Sequence, residues 1–306
     1  DALPMQRRGE WSDYVRGVLI ELREAGVHLH GADLRIHGNI PLGAGLSSSA
    51  SFEVAAALAM LALARVQMPP LDLAKLAQRA EIRHVGTRCG IMDQLAVLCA
   101  QPGHALFLDT RSLQWEQIAV PREASIVICN TMIEHELASG AYNERRSQCE
   151  RAVALLHGRY PQIRALRDVG VEQLAELKSL LPSPIFERAR HVVTENGRVM
   201  EAVRALQAND LSRLGALMYE SHASLRDDYA VSCPQLDMLV EMARSFEGTI
   251  GARMTGGGFG GCTVNLVHRD YAAEFRERIA QAYQRETGVV PELYDGTPSA
   301  GAALVP

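Results

Sequence analysis

Apolar residues recur at a helical period along most of the chain. Between Trp11 and Leu22 they fall three or four positions apart and Gly26 follows, so this stretch predicts an amphipathic helix. The stretch from Val54 to Ala64 is almost wholly apolar and predicts a buried helix, which is too short for the roughly 20 residues of a membrane span. Further helices are predicted over residues 73–80, 93–100, 142–156, 185–206, 211–219, 234–246 and 271–285. The chain is therefore predicted to be mainly helical.

Shorter alternating stretches predict strands between these helices. Apolar residues alternate with polar or small ones over residues 34–40, which indicates a strand that runs to Pro41. The remaining strands are predicted at residues 107–108, 126–128, 250–254 and 262–267 and in a segment that ends at residue 304. This mixture predicts an α+β fold. Pro121 marks a domain boundary, which divides the chain into residues 1–121 and 122–306.

The composition is that of a globular protein that acts on a small molecule. The 306 residues are 47% hydrophobic and 22% charged, which suffices for two domains. The net charge of −5 is spread without long runs of one sign, so neither nucleic acid nor a membrane surface is an expected partner. Six cysteines without a CxxC pair, and no signal peptide at the start, indicate reduced thiols in the cytoplasm. We expect a monomer.

A loop rich in glycine and serine, PLGAGLSSSAS, covers Pro41 to Ser51 and leads directly into the apolar helix. Free N–H groups and the positive end of the helix dipole make such a turn suited to a phosphate chain. It is not a GxxxxGK[ST] loop, because the lysine is absent, and it is not GxGxxG, because Ser48 replaces the third glycine. A glycine turn with a serine N-cap is the structural alternative, but one cap needs only one of the three serines.

Two carboxylates are candidates for chemistry. Glu81 lies four residues after Ala77 and eight after Leu73, on the apolar side of a predicted helix, where it needs either an arginine partner or a divalent cation. Asp93 opens the helix that follows Gly90. It is either the N-cap of that helix or a base that accepts a hydroxyl proton in phosphoryl transfer.

Five glycines stand in the eight residues from Thr255 to Cys262, between two predicted strands. A hairpin turn needs one or two, so the excess indicates backbone packed against a ligand or against the phosphate loop, unless it reflects a crowded backbone alone. Tyr142 is either a binding residue or an ordinary hydrogen-bonded residue at a domain junction. It opens a helix on which Arg145, Arg146 and Glu150 are predicted to form a solvated face.

With these pieces in order, the sequence resembles the GHMP small-molecule kinases. PLGAGLSSSAS is similar to the family's phosphate loop, AEIRHVGTRCGIMDQ to the segment with its metal carboxylate and catalytic aspartate, and ARMTGGGFGGC to its C-terminal glycine loop. HELASGAYNERRSQCE and SHASLRDDYAVSCPQLD resemble the branch that phosphorylates the anomeric hydroxyl of α-D-galactose. The similarity runs from Trp11 to Gly301 and so covers nearly the whole chain.

The resemblance implies a fold, a reaction and a set of roles. The fold is a two-domain α+β GHMP kinase fold with the site between the domains, the N-terminal domain incomplete and the C-terminal one ferredoxin-like with extra helices. The reaction uses ATP and Mg²⁺ and yields galactose 1-phosphate. The implied nucleotide contacts are Trp11 at the adenine and Pro41, Gly43, Ala44, Gly45, Leu46, Ser47, Ser48 and Ser49 at the phosphates. Ser49 and Glu81 would hold magnesium, Asp93 would be the base, and Gly90, Asp93, Tyr142, Gly257 and Gly258 would contact the sugar.

One family motif has no counterpart. The arginine followed by a GEH-x-D stretch, which grips the sugar hydroxyls, matches nothing in these 306 residues, and the first residue is Asp1. We therefore expect a chain that lacks its N-terminal segment and has little or no activity by itself. Two alternatives stay open: a regulator that binds galactose and ATP without turnover, and a GHMP kinase for a related sugar. The intact SSSAS stretch favours the enzyme.

Overall fold

The computed structural model describes residues 7–133 and 138–305. Residues 134–137, which hold the first residues of the stretch HELASGAYNERRSQCE, lie outside this range. Contacts divide the described chain into one unit with residues 7–42, 46–118 and 298–305 and a second with residues 43–45 and 119–297. The domain boundary at Pro121 stays a prediction, because a division by contacts does not test whether either part folds alone.

The first unit is built mainly from four helices. Its elements are α1 (Ser12–Glu24), α2 (Ser48–Leu63), α3 (Pro70–Ala80) with a π-helical turn (Glu81–Val85), α4 (Met92–Cys99) and the two-stranded sheet of β1 (His104–Leu108) and β2 (Trp115–Ala119). Val18 and Leu22 of α1 pack with Leu61 of α2 and Leu73 of α3 in a buried cluster. These residues are the apolar positions of the helical pattern, which explains why the predicted helices formed.

The strand predicted over residues 34–40 is wrong. The structure assigns no strand there, and Leu34, Ile36 and Ile40 are between 37% and 47% exposed. Alternation specifies a strand only when a second strand completes the hydrogen-bond ladder and buries one face. No strand within residues 7–133 and 138–305 pairs with this segment.

The final strand is also placed differently from the prediction. The last strand is β6 (Glu292–Gly296), and the segment that ends at Leu304 is not a strand. The N–H groups of Gly301 and Ala302 instead donate to carbonyl oxygens at the end of α4, at 2.9 and 2.7 Å. The end of the chain is therefore tied to the helix that carries Asp93.

The second unit has a ferredoxin-like sheet. Its elements are β3 (Ala124–Asn130), α5 (Ala138–Arg159), α6 (Val171–Glu176), α7 (Ile185–Gln207), α8 (Leu211–Ser224), α9 (Pro234–Arg244), β4 (Thr249–Met254), β5 (Cys262–His268), α10 (Ala272–Thr287) and β6. The strand order is β4-β5-β3-β6, and each neighbouring pair is antiparallel. This order, with helices between β3 and β4 and between β5 and β6, is the split βαβ arrangement, and it confirms the predicted fold class.

The core of the second unit joins this sheet to helices α9 and α10. Val127 of β3, Val267 of β5 and Phe275 of α10 are wholly buried. The hydroxyl of Tyr283, also wholly buried, donates to the carbonyl oxygen of Thr131 at 2.9 Å, so its polar end is satisfied. This hydrogen bond ties α10 to the residue that directly follows β3.

Two further predictions concern the cysteines and membranes. All six cysteines lie in the described ranges and none forms a disulfide there. Over the same ranges, no helix combines the length and apolar character that crossing a bilayer requires.

Candidate active site

The serines of the phosphate loop lie at the start of α2. Ser47 occupies the N-cap position with φ of 58°, in the left-handed region, and its side chain makes no capping hydrogen bond. Leu46, Ser47, Ser48 and Ser49 are half-buried. The first N–H groups of a helix have no acceptor within the helix, so the turn presents backbone donors beside three serine side chains.

The glycines of the phosphate loop pack against the C-terminal glycine loop, backbone to backbone, within the second unit. A β-carbon on Gly256 would lie 2.5 Å from Gly45 Cα, and one on Gly261 would lie 2.7 Å from the carbonyl oxygen of Ala44. Of the explanations given for the glycine excess, packing against the phosphate loop is therefore observed. Gly43 lies in the same turn, exposed and with φ of 68°.

Glu81 lies in the π-helical turn that ends α3 and is 5% exposed. Its carboxylate accepts a hydrogen bond from the Ser49 side chain, so the two predicted magnesium ligands are neighbours. Burial raises the pKa of Glu81, and the nearby charge of Asp93 acts in the same direction. A carboxylate and a hydroxyl side by side are hard oxygen ligands of the kind that magnesium binds. The Glu81 carboxyl also accepts hydrogen bonds from the side chains of Cys89 and Gln94, at 3.4 and 3.1 Å, and its role as a metal ligand stays a prediction.

Two buried polar residues beside Glu81 were missed in the sequence. Gln94 Nε2 lies 3.1 Å from Glu81 Oε2 and 3.4 Å from Glu53 Oε2. Burial, with the charge of Glu81 adding to it, raises the pKa of Glu53 to about 9. The available signal was a single glutamate at the edge of an otherwise apolar helix, which needs a partner wherever that helix is buried.

Asp93 is the second residue of α4 and is half-buried. The alternative that Asp93 is the N-cap of this helix is wrong, because Ile91 occupies the N-cap position. Asp93 lines a pocket of about 400 Å³ together with Ser47 and Ser51 of the phosphate loop. The other lining residues are small and apolar: Ala96, Val97, Ala100, Ala300 and Ala302. A carboxylate thus opens on a cavity beside the phosphate loop.

The predicted sugar contacts in the second unit come together at Tyr142 and Gly257. A β-carbon on Gly257 would lie 3.7 Å from the Tyr142 ring. Gly258 has a structural reason as well, since a β-carbon there would lie 2.2 Å from the carbonyl oxygen of Val231. The solvated face predicted for this helix is wrong at Arg145, which is 12% exposed and donates to the carbonyl oxygens of residues 229 and 230 at 2.8 and 3.0 Å.

The remaining predicted contacts lie at the surface of the first unit. Trp11 is 68% exposed, and its ring centroid lies 6.0 Å from that of Phe52 near the start of α2. Gly90 is exposed, and nothing lies within 4 Å of a β-carbon built on it. Pro41 is half-buried. The exposed indole next to the phosphate-loop helix is free to border a ligand, but its role stays a prediction.

The chain matches both domains of one kinase class and several individual relatives. The GHMP kinases N terminal domain matches residues 13–101, and the GHMP kinases C terminal domain matches residues 202–285. Galactokinase from Roseiflexus sp. (strain RS-1) is 48% identical over 295 residues, 96% of this chain and 75% of that protein. Galactokinase from Chloroflexus aurantiacus (strain ATCC 29366 / DSM 635 / J-10-fl) is 44% identical over 97% of this chain and 76% of that protein.

The fold of this chain is also similar to that of a solved galactokinase structure. The crystal structure of Lactococcus lactis galactokinase complexed with galactose aligns with a TM-score of 0.92 and 35% identity, and covers 98% of this chain and 78% of that one. The fold is that of a GHMP kinase. The chain belongs to the galactokinase family.

Proposed function

We propose that the protein transfers the γ-phosphoryl group of ATP to the anomeric hydroxyl of α-D-galactose and so forms galactose 1-phosphate. The reaction is that of the family, which uses ATP as co-substrate. The observation in this chain that carries the proposal is the grouping of Ser49, Glu81 and Asp93 beside the start of α2. Phosphoryl transfer needs these parts: donors for the phosphates, an oxygen site for a cation, and a base for the accepting hydroxyl.

The proposed roles are those that the resemblance to the family implies for each residue. The N–H groups and hydroxyls at the start of α2 bind the phosphates, and Trp11 borders the adenine. The oxygens of Ser49 and Glu81 hold Mg²⁺, which when bound neutralises charge on the transferring phosphoryl group. Asp93 accepts the proton of the anomeric hydroxyl, and Tyr142 with Gly90, Gly257 and Gly258 orients the sugar.

The experiment is an ADP-release assay on the full gene product with galactose and with N-acetylgalactosamine, and the product is identified by phosphorus NMR. We expect turnover that depends on galactose and yields a 1-phosphate. Binding of ATP and galactose without turnover would instead support the regulator, and preference for the second sugar would support a kinase for a related substrate.

Replacing Glu81 by Gln is expected to raise the Mg²⁺ concentration for half-maximal turnover about tenfold or more. The substitution keeps the shape but removes the charge of a hard ligand, which contributes at least as much as a charged hydrogen bond, about 1.5–3 kcal/mol. The same change at Glu116, which is exposed on β2, is the control and should leave the magnesium dependence unchanged. An unchanged magnesium dependence in the Glu81→Gln enzyme would remove Glu81 from the metal role.

Replacing Tyr142 by Phe is expected to raise the KM for galactose about 2- to 12-fold, with a smaller change in the KM for ATP. One hydrogen bond, worth about 0.5–1.5 kcal/mol, is removed while the ring beside Gly257 stays. Tyr160→Phe, in a separate hydrophobic cluster of the same unit, is the control. A larger effect on ATP than on galactose would reassign Tyr142 to the nucleotide.

We also place the protein in the cytoplasm as a monomer that binds no nucleic acid. Cysteines without disulfides are typical of a reducing compartment, and the charge of −5 is spread along the chain. Sedimentation of the purified protein measures the oligomeric state directly.

A further inference from the structure

Beside the Glu81 carboxylate lies a buried side chain that the proposed reaction does not use. The amide nitrogen of Gln94 is 3.1 Å from Glu81 Oε2 and 3.4 Å from Glu53 Oε2. Gln94 is 1% exposed, Glu81 5% and Glu53 wholly buried. One amide group therefore serves two carboxyl groups in a place from which bulk water is excluded.

This bridge is costly to maintain. Glu53 Oε1 and Gln94 Oε1 are buried and have no hydrogen-bond partner in the described residues. A buried polar atom without a partner costs about 1–3 kcal/mol, whereas apolar side chains of similar shape would fill the same space without that cost. A polar cluster that is only partly satisfied next to a candidate metal ligand therefore points to a functional reason.

The bridge links three separate elements. Glu53 comes from α2, which follows the phosphate loop, and Gln94 comes from α4, directly after Asp93. Glu81 itself lies in a π-helical turn, an irregular element that often marks a functional position. The planar amide of Gln94 fixes the direction of its donors, so the Glu81 carboxylate is held relative to both the phosphate loop and the base.

We propose that Gln94 is a positioning residue that holds one oxygen of Glu81 in place for the metal, and that Glu53 anchors Gln94 in turn. The inference rests on the proposed function, in which Glu81 binds magnesium. Partners of this kind orient metal ligands, and their loss typically weakens metal affinity about 10- to 100-fold.

The test measures Mn²⁺ binding to the nucleotide complex of the full gene product by electron paramagnetic resonance. Gln94→Met, which keeps the length of the side chain and removes the donor, is expected to weaken Mn²⁺ affinity about tenfold. Gln117→Met is the matched control, because Gln117 donates to the Cys99 carbonyl oxygen in the same unit and is not among the groups bonded to Glu81. If Gln94→Met does not fold, Gln94→Asn, which keeps the amide but shortens its reach, carries the same expectation.

The anchor is tested by two substitutions of Glu53. Glu53→Gln keeps an acceptor for Gln94 and is expected to keep Mn²⁺ affinity within about twofold, while Glu53→Met is expected to weaken it several-fold. If the role is purely structural, Gln94→Met and Glu53→Met should lower thermal stability. Their Mn²⁺ affinity should then equal that of the Gln117→Met control. That result would overturn the proposal.

A double-mutant cycle separates this inference from the proposed metal role. If Gln94 acts through Glu81, Gln94→Met should cause no further loss of Mn²⁺ affinity in a Glu81→Gln background. If Glu81→Gln weakens Mn²⁺ affinity but Gln94→Met does not, the positioning role of Gln94 is refuted and the metal role of Glu81 stands. If Glu81→Gln leaves Mn²⁺ affinity unchanged, the proposed metal role of Glu81 is itself refuted.

Discussion

Replacing Asp93 by Asn is expected to lower kcat about a hundredfold or more and to leave ATP affinity within about threefold. Asn keeps the shape of the side chain in the first turn of α4 but cannot accept the hydroxyl proton, and general-base catalysis typically contributes about 10²–10⁴-fold. Proton removal is late in a loose phosphoryl-transfer transition state, which puts the expected loss at the lower end of that range. Steady-state kinetics and nucleotide titration of the full gene product measure the two quantities.

A matched control distinguishes this base from a residue that only stabilises its helix. Asp72 is an exposed acidic residue in the first turn of α3, so Asp72→Asn removes the same favourable interaction with a helix dipole, worth about 0.3–1 kcal/mol. Both variants should lose a little stability, but only Asp93→Asn should lose turnover. Equal turnover in the two variants, or collapse of nucleotide binding in Asp93→Asn, contradicts the assignment.

Replacing Gly256 by Ala is expected to displace the phosphate loop and to weaken nucleotide affinity at least tenfold. The new β-carbon would lie 2.5 Å from Gly45 Cα and 2.7 Å from Gly45 O, and neither backbone atom can move without moving the loop. The residue also has φ of 74°, where a side chain costs about 1–2 kcal/mol. Nucleotide titration measures the affinity, and a thermal unfolding scan measures the loss of stability.

Gly288→Ala separates backbone strain from steric displacement. Gly288 has φ of 73°, nearly that of Gly256, but nothing lies within 4 Å of a β-carbon built on it. It follows α10 in the same unit and should show only the cost of the left-handed conformation. The Tm of Gly256→Ala should fall at least twice as far, and equal Tm and nucleotide affinity in both variants would show that the contact with Gly45 is unimportant.

The helices were largely predictable because their apolar period is a local property. Five of the helices predicted above have both bounds within two residues of those observed, such as 185–206 against Ile185–Gln207. Strands were less predictable, because a strand exists only with its partner. Residues 34–40 alternate as a strand should and still form none, while β2, whose residues are mostly exposed, was not predicted.

The candidate site was predictable where a motif is contiguous. The phosphate loop, the apolar-side Glu81 and the helix of Asp93 each lie within one short stretch, so residue type and spacing were enough to make them candidates, and their roles stay predictions. Arg145 could not be placed in this way. Its guanidinium is a solvated group by sequence pattern, but it is held by carbonyl oxygens 84 and 85 residues away along the chain.

By itself the sequence determined the class of fold, the glycine and serine loop at a helix start, and which carboxylates are candidates for chemistry, because these depend on neighbours a few residues apart. Only the tertiary structure decided which groups meet. The contact of Gly45 with Gly256 and the bridge from Glu53 through Gln94 to Glu81 join residues far apart in the chain. Such contacts depend on how packed elements exclude water and satisfy polar groups, which no local pattern encodes.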